Sequence, residues 1–131
     1  PDGKLLAYTS NESGQNQVYL TPIPGPGPHL QVSVELGTEP TWARDGTTLF
    51  YRGTTRMMAA AIAERPVLAV TRRDSLFVDR YRRYADHGAY DVFPDGRAFL
   101  MTRGSQGHSS IYVIVNWQQL SRAQGAATQD R

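Results

Sequence analysis

The stretch TRRDSLFVDRYRRYADHGAYD, residues 71–91, concentrates side chains able to do chemistry. Arg72, Arg73, Arg80, Arg82 and Arg83 interleave there with Tyr81, Tyr84 and His87. A guanidinium offers a planar fork of donors that grips carboxylate or phosphate at two points, and the aromatic faces can stack on planar groups. Asp74, Asp79, Asp86 and Asp91 lie in the same segment and offset most of its charge, so a solvated loop is the competing reading. Nucleic-acid binding is not expected, because a formal net charge of +2 over 131 residues is a weak electrostatic footprint.

Catalytic and metal-binding patterns are missing from the sequence. His29, His87 and His108 are far apart, none has a ligand-spaced partner, and there is no cysteine, so neither a metal nor another cofactor is expected. The nearest approach to a serine nucleophile turn, GSQGHSSI, lacks the closing glycine of G-x-S-x-G. Asp2, Asp45 and Asp95 resemble a set of carboxylates for acid–base work, yet each sits in the same Asp-Gly context, which argues for turn chemistry. No catalytic residue is assigned.

Those three turns disclose the elements that must position the basic segment. Aligned on Asp2, Asp45 and Asp95, the residues four to six places on are Leu6-Ala7-Tyr8, Leu49-Phe50-Tyr51 and Phe99-Leu100-Met101. Thr41-Trp42-Ala43 and Asp91-Val92-Phe93 precede the second and third turns, and a further apolar run follows each copy: QVYLTPI, MMAAAIA and IYVIV. The unit is strand, Asp-Gly turn, strand, loop, strand, at spacings of 43 and 50 residues, near the period of propeller blades. The runs are too short for stable helices, and LLAY, LFY and FLM are continuously apolar, which suggests sheets covered on both faces. A sandwich would need cleaner alternation on its solvent faces.

Composition is ordinary for one globular domain, at 40% hydrophobic and 20% charged residues. No run of about 18 apolar residues exists, so no membrane span is expected. The PIPGPGP segment reads as a stiff surface connection, and QQLSRAQ, residues 118–124, as the one helical stretch. Trp42, Leu49, Tyr51, Phe99, Met101 and Tyr112, recurring at fixed offsets from the turns, are expected to be buried.

The turn followed by LLAYTSNESG and a QVYL strand resembles TolB-type propeller repeats. GTEPTWARDGTTLFYR, AYDVFPDGRAFLMTR and IYVIVNWQQL resemble the C-terminal propeller attached to many bacterial serine/threonine protein kinases and related regulators. The expected fold is all-β: a β-propeller fragment of about three four-stranded antiparallel blades, 1–36, 37–86 and 87–117, with a short C-terminal helix and tail over 118–131. The resemblance implies a noncatalytic recognition module, the sensor or scaffold part of a larger bacterial signalling protein, in a periplasmic or extracytoplasmic setting. The alternatives are the substrate-filtering propeller of a prolyl-oligopeptidase-like peptidase and a free TolB-like scaffold. In propellers the connection from one blade's outer strand to the next blade's inner strand rims the central channel. Glu39, Arg82, Arg83, Tyr84 and His87 are therefore the expected ligand-binding residues, for a protein or peptide partner or a small anion.

A propeller closes with about four to eight blades, and three leave apolar faces and strand edges open. Two copies related by a twofold axis would complete a six-bladed ring, so a homodimer of this polypeptide is expected. Light scattering over a range of concentrations checks it: a stable monomer near the chain mass of 14.6 kDa would count against this account of the open faces.

Overall fold

The computed structural model describes residues 2–84, 87–105 and 108–115. Ten strands lie among them, in three antiparallel sheets. The first sheet holds β1 (Leu5–Ser10), β2 (Gln17–Pro22) and β3 (Leu30–Gln31). The second holds β4 (Thr38–Trp42), β5 (Thr48–Arg52), β6 (Arg56–Ala63) and β7 (Ala69–Val78). The third holds β8 (Tyr90–Val92), β9 (Ala98–Ser105) and β10 (His108–Val115). Strands follow chain order across every sheet. The fold is all-β, with no helix among the described residues, and the stretch expected to be helical, 118–124, lies outside them. Four strands per sheet holds only for the second sheet; the outer two show three each.

The Asp-Gly turns work through local chemistry. Gly3, Gly46 and Gly96 have φ of 76°, 73° and 68°, a region that a side chain makes costly. The preceding aspartate Oδ1 accepts the backbone N–H two residues on, from Lys4 at 3.1 Å, Thr47 at 2.8 Å and Arg97 at 3.0 Å. The Gly46 N–H donates to the Ala43 carbonyl and the Gly96 N–H to that of Phe93, so the second and third copies close alike.

Strand alternation then sends successive side chains to opposite neighbours. From β5, Leu49 and Tyr51 pack with Val18 and Leu20 of the first sheet and with Val32 just after β3, while Phe50 packs toward Phe99 and Met101 of the third. From β6, Ala60 and Ile62 go one way, Met57 and Ala59 the other. The second sheet is thus covered on both faces. Its contact with the third is aromatic: the Phe99 ring centroid lies 5.0 Å from that of Phe50 and 5.5 Å from that of Phe77, in edge-to-face geometry.

Several expectations need correction. Tyr112 is 39% exposed, because β10 is the edge of its sheet, and its ring is met by the Tyr81 ring at 6.0 Å and the Arg103 guanidinium of β9 at 5.9 Å. Trp42 is half-buried at the margin of the first-to-second-sheet core, and its buried Nε1 has no hydrogen-bond partner among the described residues. Leu49, Tyr51, Phe99 and Met101 are buried as expected. β7 begins at Ala69, so Arg72, Arg73 and Asp74 of the basic stretch are strand residues, since backbone pairing to β6 is indifferent to their charge. β3 has only two residues.

Substituting alanine for Phe99, which is fully buried among three rings, should cost about 3 to 5 kcal/mol. Tyr112→Ala should cost about 1 kcal/mol or less. Urea denaturation of both variants measures the contrast, and equal losses would contradict the packing described.

Candidate functional site

The site is built over a buried cation. Arg52 ends β5 and, by alternation, shares the face of Phe50. Its side chain is fully buried. All five guanidinium N–H groups have acceptors: Nε and Nη2 donate to the two oxygens of Asp79, each at 2.7 Å. Nη2 also donates to the Tyr81 carbonyl at 3.0 Å, and Nη1 donates to the Arg82 carbonyl at 2.7 Å and to Glu39 Oε1 at 3.4 Å. Burial is the largest influence on Arg52 and opposes its charge, but Asp79 and Glu39 outweigh it and hold the pKa above the ordinary arginine value.

Asp79 follows β7 directly, and its carboxylate is also buried. Besides the two bonds from Arg52 it accepts from Arg83 Nη2 at 2.7 Å and from the Tyr81 N–H at 3.3 Å. Arg83 Nη2 also donates to the Gly53 carbonyl, which ties the connection after β7 to the β5–β6 turn. Glu39 sits in the bulge of β4 with φ of 53°, uncommon for a residue with a side chain. Its Oε2 accepts the Ala89 N–H at 2.7 Å, and its carbonyl accepts the Tyr90 hydroxyl at 2.7 Å. Burial drives the Tyr90 phenol pKa far up, so this hydroxyl remains a donor.

Above this network lies a cleft of about 430 Å³. Glu39, Arg83, Tyr84 and His87 line it, together with Leu36 and Thr38, with Thr9 of β1 and with Asn16 just before β2. Tyr84 and His87 stack at 4.5 Å between centroids with 19° between planes, forming one aromatic wall. Four of the five expected ligand residues therefore share one cleft. Arg82 does not line it: its N–H donates to the Thr102 carbonyl, its guanidinium lies over the Tyr84 ring, and it passes close to Gly104 of β9. Arg72 and Arg73 belong to β7, with Arg72 paired to Asp74 and Arg73 donating to the Val32 carbonyl. His29 is elsewhere, its Nδ1 2.5 Å from the Tyr8 hydroxyl. Among the described residues no cluster of three His, Asp or Glu is placed to hold a metal, and no helix is long and apolar enough to cross a membrane.

Sequence reasoning missed Arg52 and Asp79. A signal existed: seven places after the turn aspartate, the copies carry Thr9, Arg52 and Thr102, so one copy places a cation where the others place a small hydroxyl. Asp79 was counted only as a charge offsetting its neighbours. Together the fold and site define an all-β stack of antiparallel sheets with an ionic network beneath a cleft at one end. Neither a protein-family model nor a curated protein matches the chain.

Removing one partner of a buried pair leaves the other uncompensated, so Asp79→Ala should cost about 3 to 5 kcal/mol. Arg52→Lys keeps the charge but supplies three donors for five acceptor contacts and should cost about 2 to 3 kcal/mol. Denaturant midpoints with unchanged m-values measure both, and a loss under about 1 kcal/mol in Asp79→Ala would mean water reaches the network.

Proposed function

We propose that this chain is a noncatalytic recognition module whose three sheets are consecutive blades of a β-propeller, and that its cleft receives an acidic segment of a protein or peptide partner. The observation that carries this reading is the convergence of Glu39, Arg83, Tyr84 and His87 on one cleft with Thr9, Thr38 and Asn16. Arg83 is partly solvent-exposed, and among the described residues only its Nη2 is engaged, by Asp79 and Gly53. Glu39 is neutralised by Arg52 and the Ala89 N–H, so it does not repel an incoming carboxylate strongly. The charges around the cleft nearly cancel, which disfavours tight binding of a free small anion. A peptide adds main-chain hydrogen bonds to the threonine and asparagine side chains and stacking on Tyr84 and His87.

The resemblance to kinase-attached and TolB-type propellers supports a sensor or scaffold role within a larger bacterial signalling protein, acting outside the cytoplasm. Calorimetric titration with an aspartate-rich peptide, its lysine counterpart and inorganic phosphate tests the binding reading. The acidic peptide should bind, and Tyr84→Ala and His87→Ala should each weaken it about tenfold, equivalent to about 1.4 kcal/mol. Equal binding by wild type and both variants would place the site elsewhere, and preference for phosphate would favour a small-anion sensor.

A further inference from the structure

A second cavity, of about 350 Å³, opens between the connection from β3 to β4 and the second sheet, within the range of small-molecule sites. Leu36 lines both this groove and the cleft, so the segment before β4 forms a wall between them. Its apolar surface comes from Leu36, Met58 and Val34, the last strongly exposed at 68%. Tyr51 also lines it, although the residue is only 2% exposed, and its hydroxyl has no hydrogen-bond partner among the described residues. Burial pushes the Tyr51 phenol pKa up, with the nearby Arg73 charge opposing, so the group is a neutral donor. Arg73 commits Nε to the Val32 carbonyl and makes no ion pair among the described residues. Arg56 adds a second cation, hydrogen-bonded through Nε to Ser75, against a single exposed carboxylate, Glu35.

An almost buried phenol without an acceptor among the described residues, a cation beside it and an apolar floor together select a ligand with one anionic acceptor and an apolar body. We propose that this groove is a binding site for a small amphipathic carboxylate, its carboxylate accepting from the Tyr51 hydroxyl and the Arg73 guanidinium and its apolar body lying on Met58, Leu36 and Val34. The site is separate from the cleft and does not depend on peptide binding there.

Sodium octanoate is the probe, followed by NMR on protein carrying labelled methionine methyls. Octanoate should shift the Met58 methyl saturably and leave the His87 ring resonances in place, and octan-1-ol should bind at least about tenfold more weakly. Tyr51→Phe keeps the ring and deletes the hydroxyl, and should weaken octanoate about tenfold. Should that variant lose its cooperative melt, Arg73→Gln, exposed on β7, carries the same expectation. The proposal is overturned by octanol binding as tightly as octanoate, by shifts at His87 without shifts at Met58, or by the absence of any saturable shift.

Discussion

A guanidinium removed from water must place five N–H groups on acceptors or lose several kcal/mol for those left bare. Arg52 meets that demand from four directions: the carboxylate of Asp79, two carbonyls of the connection after β7, and Glu39 in the bulge of β4. The requirement fixes the path of the backbone. Residues 79–83 cannot wander from the end of β5 without stripping the cation of acceptors, and Glu39 reaches on to Ala89 and Tyr90 at the start of the third sheet. One buried charge therefore holds two sheets and their connection in register at a single end of the molecule.

Beneath the network the same two sheets meet through Phe50, Phe77 and Phe99, where non-directional burial supplies most of the favourable energy. The division of labour is physical. Apolar contact tolerates sliding, whereas a bidentate Arg–carboxylate pair with three further bonds has one geometry. Spending the charge of Arg52 and part of that of Arg83 on Asp79 and Glu39 also shapes the cleft above, which presents directed donors and an aromatic wall rather than a strong net potential.

Much of the strand order was legible because it is written in short-range signals. Three Asp-Gly pairs with equivalent apolar runs marked the hairpins, and Glu39, Arg83, Tyr84 and His87 were legible as neighbours once the repeat placed two connections at the same end. Arg82 was not separable from Arg83 in sequence, since adjacent residues point apart only when the backbone between them is fixed, here by the bond from the Arg82 N–H to Thr102. Arg72 and Arg73 read as part of the basic loop because a strand paired on its backbone can carry charged side chains outward.

Equivalent positions in the repeat show the boundary between the two kinds of information. Leu6, Leu49 and Phe99 occupy the same place after their turns, yet Leu6 is 47% exposed and the other two are fully buried. Turn geometry, strand identity and the face on which each side chain stands were determined by the sequence alone, because they depend on a glycine without a Cβ, an aspartate bonding two residues ahead and a side-chain period of two. Whether that face is covered, and whether a lone arginine at a strand end meets a carboxylate 27 residues away, was decided only by the tertiary structure. Burial and charge pairing depend on groups that the chain brings together from a distance, and no local pattern encodes which of them will arrive.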